Sequence, residues 1–309
     1  MLTSQSKIQV PEVDQAIRPG HSPDRNRRGR QGKWKTVRRI SRFFNGLPQP
    51  IAVTSVVVTV LLVWQGVTAL GTISAIILPS PIAVGEQVWI VAGQLFSGGF
   101  LAEQLSITIR EILLGFAIAC AVGFFIGLWI GQTRFGQKAI MPLFVLLEST
   151  PKIAFAPVFI AWFGFGMTSK FLMAAFMSIF PIIIGTASGL AATSEDELKL
   201  FKSMKASPWD VFWKLKMQRA LPFIFAGLKI AVVSAVTGAV AAEFIGGGIG
   251  FGEQIRVAAS RIALDRVFAL ILFLSFLGLL LFSLVSWLQR KITFWDTPTS
   301  HRSPTRRSK

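Results

Sequence analysis

Charge is scarce in this chain. Only 15% of its 309 residues are charged and 52% are hydrophobic, where a soluble globular protein carries about a quarter charged residues. Mean hydropathy is +0.58. That balance excludes an ordinary soluble domain and predicts an integral membrane protein. Cysteine occurs once, as Cys120 inside an apolar run, so no disulfide can form within the chain. The two histidines, His21 and His301, lie near the ends. A Cys/His metal site in the membrane core is therefore excluded. Tyrosine is absent. No G-x-x-x-x-G-K-[ST] motif occurs, and the glycine cluster from Gly246 to Gly252 lacks the lysine, so the chain is not expected to bind ATP itself. The opening residues "MLTSQSKIQVPEVDQ" have no apolar core and do not read as a cleavable signal peptide.

The formal net charge is +17, yet 11 basic residues fall in residues 1–42 and 6 in residues 290–309. Basic tails beside membrane spans orient the protein and meet anionic lipid. No folded basic face accompanies them, so nucleic acid is not an expected partner. Three regions are expected: a basic, disordered tail over residues 1–45, a transmembrane domain over 46–291, and a second basic tail over 292–309.

A bilayer core of about 30 Å needs about 20 apolar helical residues. Six runs qualify: Ile51 to Leu70, Ile112 to Thr133, Ala139 to Phe163, Phe171 to Ser194, Leu221 to Ile245 and Val267 to Leu288. The fold class is thus all-α integral membrane, with about six transmembrane helices. With the N-terminus inside, the inner segments hold 25 Lys and Arg and the outer segments 4. Both termini are therefore predicted cytoplasmic, in a multi-pass protein.

The third run is unusual. It contains Pro142, Pro151 and Pro157, with Glu148 and Lys152 inside it. Proline removes a helical hydrogen bond, so a bent span facing the protein interior is expected. Glu148 and Lys152 are spaced for a helical ion pair. They read either as an interfacial pair at the inner end of the span or, with Phe163, as candidates for a translocation path. Outside, Pro79 and Pro81 predict a turn, and Val84 to Phe96 a surface helix with Trp89 at the interface or a plain connector. Glu243 stands isolated near the outer end of the fifth span.

Between the fourth and fifth spans lies "SEDELKLFKSMKASPWDVFWKLKMQRALP". Leu198, Phe201 and Met204 recur at helical spacing, behind Glu195, Asp196 and Glu197 at the favourable end of the helix dipole. Ser207 suits an N-cap, Pro208 the first helical position, and Asp210 a capping box. A short helix, a turn and a second helix running into the fifth span are predicted. With Trp209 and Trp213, this reads as a rigid knob for a partner on the inner side.

The stretch "ASPWDVFWKLKMQRALPFIFAGLKIAVVSAVTGAVAAEFIGG" resembles the permease subunits of binding-protein-dependent ABC importers. "LPSPIAVGEQV", "STPKIAFAPVFIAWFGFGMTSKF", "FPIIIGTASGL" and "GFGEQIRVAASRIALDRVFALILFLSFLGLLLF" are similar to the branch that includes permeases for nitrate, sulfonate, taurine and pyrimidine thiamine precursors. The resemblance covers about residues 50–291. It implies a type I importer permease fold in a bacterial inner membrane. It also implies a coupling helix between spans 4 and 5, carried here by Leu198, Phe201, Met204, Lys205, Ala206, Ser207 and Trp209. The implied partners are an ATP-binding subunit that holds ATP and magnesium, a substrate-binding protein and a second permease copy. No cofactor is implied on this chain, nor any enzyme activity. The family loop carries Glu-Ala-Ala, then Gly, then Pro; here those positions are Lys199, Leu200 and Phe201, then Lys205, then Gln218. Lys205 would inherit a left-handed backbone at a cost of order 1 kcal/mol relative to Gly. The resemblance further implies a pyrimidine-type or similar small heteroaromatic substrate, with sulfonate, taurine or nitrate as alternatives. An ion-coupled secondary transporter would need acids in its spans, and only Glu111, Glu148 and Glu243 are near any. A non-transporting membrane anchor for the basic tails is the third reading.

Overall fold

The computed structural model describes residues 48–71, 73–74 and 76–295. The expected tail over residues 1–45 lies outside them, as does the expected tail over 292–309 from residue 296 on; Ile292 is still helical. Among the described residues every regular element is helical. The chain divides into two compact units between Val63 and Trp64.

Helix α1, Gln49–Ala69, holds no charged residue and crosses that division. Its hydroxyls turn back on its own carbonyls: Thr54 donates to Pro50 O, Ser55 to Ala52 O and Thr59 to Ser55 O. A helix in hydrocarbon must satisfy its polar groups internally, and these do so.

In the second unit, α2 (Pro81–Phe96) starts on Ser80, whose side chain accepts from Ala83 N, with Pro81 at the first position. Then come α3 (Phe100–Gln132), a π-helical turn (Gly136–Ile140), α4 (Met141–Glu148), a 3-10 turn (Lys152–Phe155) and α5 (Ala156–Phe163). Next are α6 (Met167–Ala191), α7 (Glu195–Ser203), one helical turn (Pro208–Asp210), a π-helical stretch (Val211–Lys216) and α8 (Met217–Gly246). Helices α9 (Phe251–Ser260) and α10 (Leu264–Ile292) close the described chain.

Among the described residues, five helices are long and apolar enough to cross a membrane. The remaining expected span, the third, is two helical segments, Gly136–Glu148 and Lys152–Phe163, bent by 82°. Pro151 lies at the break, so the third run is broken more sharply than a simple kink. Helix α3 begins at Phe100, well before the expected Ile112. Glu103, Gln104, Arg110 and Glu111 end the apolar run but do not end the helix, because they are tolerable helix residues. Hydropathy marked the lipid-facing part, not the helix end. The region after Phe96 is therefore mostly helix rather than loop. Likewise Val84 to Phe96 is a helix, with Trp89 82% exposed.

Helix α6 is the most buried span, packed between α3 and α8. Small residues allow this. Gly115, Gly123, Gly127 and Gly131 line the α3 face, and a Cβ on Gly127 would fall 2.7 Å from Thr186 Cβ and 2.8 Å from Ile183 O. Gly185 and Gly189 do the same toward α8, where a Cβ on Gly185 would fall 2.8 Å from Phe223 O. Between membrane helices, close backbone approach and dispersion replace the hydrophobic driving force, and glycine permits that approach. At Pro181, inside α6, the ring removes one ladder donor. Nearby Ser178 donates to Ala174 O at 2.7 Å and to Ala231 O at 2.9 Å, stitching α6 to α8.

Candidate functional site

The hairpin between α6 and α8 is built from its caps. Ser194 and Glu197 form a reciprocal capping box at the start of α7, closing two orphan donors. The helix ends in a Schellman motif: Lys205 N–H donates to Lys202 O at 2.9 Å and Ala206 N–H to Phe201 O at 3.1 Å. Lys205 occupies its left-handed position with φ 54°, as expected from its alignment with the family glycine. Ser207 caps the next helix by accepting from Asp210 N at 3.1 Å. Asp210 reaches the Ser207 hydroxyl rather than the backbone, accepting from it at 2.6 Å.

Arg219 at the base of α8 pairs with Glu197. This latches α7 to the span. The Ser194 backbone N–H and Arg219 together hold the Glu197 carboxyl below the usual glutamate range. The outward apolar groups are Leu200 (58% exposed), Met204 (68%), Trp209 (69%) and Trp213 (47%). Trp209 and Trp213 stack edge to face at 5.6 Å. Leu198, Phe201 and Ala206 are half-buried. Exposure thus shifts the apolar tip from the Leu198/Phe201 stripe toward Leu200, Met204 and the two tryptophans. Trp295, at the foot of α10, shares a cavity with Ser194, Glu197 and Arg219.

Glu148 and Lys152 pair at 2.5 Å across the 82° break. The pair forms although Pro151 interrupts the helix, and Lys152 is buried over the Phe180 ring at 5.2 Å. From there a row of rings runs through Phe176 (5.3 Å), Phe159 (5.3 Å) and Phe163 (6.0 Å). The three path candidates are therefore joined by one aromatic row.

A groove of about 840 Å³ lies between α8 and α10, lined by Val233, Val240, Phe244, Leu274 and Phe282 among others, with Ile153 at its edge. Its hydroxyls are spent internally: Thr237 donates to Val233 O and Ser275 to Ile271 O. Lys229 stands over the Phe282 ring at 6.0 Å. Among the described residues it has no carboxylate partner.

Sequence reasoning took Glu243 to be isolated, and the structure corrects this. Glu243 is fully buried and accepts from Thr108 Oγ1 at 2.5 Å and Gly252 N at 2.6 Å. Thr108 Oγ1 in turn accepts from Phe251 N, and Gln104 Oε1 from Gly250 N. Lys170, one of the four basic residues in the expected outer segments, is 1% exposed and donates to Ile249 O at 2.5 Å. Glu111 lies 3.9 Å from its ammonium. A signal was available: with alternating spans, the start of spans 2 and 4 and the end of span 5 share one membrane level, which brings Glu111, Lys170 and Glu243 together.

Broken and unbroken spans around a small-residue core, with a capped hairpin between the fourth and fifth crossings, define a multi-pass membrane transport subunit. The family of binding-protein-dependent transport system inner membrane components matches residues 122–294. A probable ABC transporter permease protein of Haemophilus influenzae is 33% identical over 78% of this chain and 95% of its own length. The riboflavin transport system permease protein of Chloroflexus aurantiacus is 30% identical over 84% and 94%. The formylaminopyrimidine transport permease protein of Halalkalibacterium halodurans is 32% identical over 71% and 86%. Among solved structures, an inward-facing MetNI methionine ABC transporter shares the fold, with TM-score 0.50 and 17% identity over 64% of this chain and 97% of that one. The chain belongs to the family of binding-protein-dependent transport system inner membrane components. It is an ABC importer permease subunit of type I fold.

Proposed function

We propose that this chain forms the membrane path of a bacterial inner-membrane importer for a small nitrogen heterocycle, with both termini cytoplasmic. Two copies would pair. Each would dock an ATP-binding subunit through the hairpin, with Leu198, Phe201, Met204, Lys205, Ala206, Ser207 and Trp209 in or beside the contact. ATP and magnesium would be held by that partner, and an external binding protein would deliver the solute. The capped, latched hairpin carries this reading, because it presents apolar side chains to water on a rigid base. Such an exposed cluster marks an interaction site. For the solute, support comes from the riboflavin and formylaminopyrimidine relatives and from the aromatic row joining Lys152 to Phe163.

Lys229 favours a second reading. An acid-free lysine beside an apolar groove suits a small anion, and relatives named for taurine and nitrate are 31% and 28% identical. The test is purification of the chain from its native membranes with its partners, followed by uptake in vesicles. Recovery of an ATP-binding subunit and ATP-dependent uptake of a formylaminopyrimidine or riboflavin supports the first reading. Uptake of taurine that Lys229→Ala abolishes supports the second. Uptake driven by an ion gradient without ATP overturns both.

A further inference from the structure

Three ionisable side chains from three helices meet beside the Gly246–Gly252 loop. Glu111 of α3 and Glu243 of α8 are 0% exposed and Lys170 of α6 is 1% exposed. Both Glu243 oxygens are occupied, by the Thr108 hydroxyl and the Gly252 N–H. The Lys170 ammonium is turned to Ile249 O and stands off from Glu111. Glu111 stands one turn along α3 from Thr108, which donates to Glu243, so its carboxyl is on the Glu243 side of α3, yet among the described residues neither of its oxygens has a hydrogen-bond partner.

Charge and hydrogen bonding point the same way. Two carboxylates and one ammonium leave one negative charge uncompensated in a buried site, which is costly. Like charges side by side add to that cost. One proton removes both problems. Placed on Glu111, it turns that carboxyl into a donor toward Glu243 and leaves one carboxylate for one ammonium. The other charged groups near the loop are the Glu253–Arg256 pair of α9, which is closed on itself at 2.5 Å.

We propose that Glu111 and Glu243 form a proton-sharing carboxyl pair, with Glu111 as the neutral acid, and that this resident proton fastens the glycine loop to α3 and α6. Glu111 is a positioning residue in this arrangement and acts through Glu243.

The experiment is infrared spectroscopy at neutral pH on the full chain purified in its assembly, with melting curves of two variants. The parent should show a protonated-carboxyl carbonyl band that Glu111→Gln removes. Gln supplies a neutral donor, so Glu111→Gln should melt with the parent, while the similarly sized Glu111→Leu melts well below it. Absence of the band in the parent, or its persistence in Glu111→Gln, overturns the proposal. So does a Glu111→Gln variant that falls with Glu111→Leu, because a charged Glu111 would then be required. Sodium-dependent stabilisation of the parent that Glu111→Gln abolishes would put a metal cation in the proton's place and also overturn it.

Discussion

The two ends of α8 are held in different ways. At the Met217 end the tie to α7 is Arg219 with Glu197, whose side chains are 61% and 25% exposed. At the Gly246 end the ties to α3 and α6 run through groups that are 0–1% exposed. An exposed ion pair contributes little and is screened by salt. A buried network is costly to break, because removing one member strands the rest. The hairpin can therefore be released and reformed, whereas the glycine loop stays fixed.

Substitutions should expose this contrast. Glu243→Ala should have the largest effect. It removes the acceptor of the Thr108 hydroxyl and the Gly252 N–H and the carboxylate that balances the buried Lys170 charge, at a cost of about 3–5 kcal/mol by analogy with broken buried pairs. A sharp fall in melting temperature and folded yield would show it, and a parent-like melt would mean the loop is held by packing alone. Gly127→Leu comes next. It forces α3 from α6 and should cost about 1–3 kcal/mol, read in the same assay; a neutral result would mean that the seam can open.

Two helix ends give a smaller, favourable effect. Ile262, like Lys205, holds the left-handed position of a Schellman motif, with φ 59°. A β-branched residue is strained there. Ile262→Gly should stabilise by about 1–2 kcal/mol and Lys205→Gly by about 1 kcal/mol. Chemical denaturation would rank them, and the reverse order would mean that the Ile262 side chain makes a compensating contact. Acid should give the smallest change. The folded-state pKa of Glu197 lies below the ordinary 4.5. Its contribution to the hairpin is present above that value and is lost as pH falls through the lowered one. Protection of the α7 amides from hydrogen exchange, corrected for the intrinsic pH dependence of exchange, should fall over that window and be insensitive to pH there in Glu197→Gln.

The hairpin was legible in sequence because its signals are local. Ser207, Pro208 and the acids before Leu198 announce caps within four residues. The six runs were legible because hydropathy needs no partner. The buried cluster was not, since Thr108 and Glu243 are 135 positions apart and nothing local marks either. The Glu148–Lys152 pair was readable from spacing, but the 82° bend around it was not. Proline forecasts a break without its angle. Leu198 and Phe201 show a further limit: periodicity finds an apolar stripe but does not say which neighbour partly covers it.

Helix α8 runs without interruption from Met217 to Gly246, about 45 Å at about 1.5 Å per residue. Its two moorings thus sit on one continuous helix, with Pro222 between them about one turn beyond Arg219. If the proposed partner pushes on the hairpin, the load reaches the far end at Glu243, where the helix is pinned to its neighbours. Displacement at the loosely tied end becomes torque at the pinned one, with α3 and α6 as the bearing. For a transport subunit this is leverage: a force applied at one face is felt at the other without any side chain between them having to rearrange.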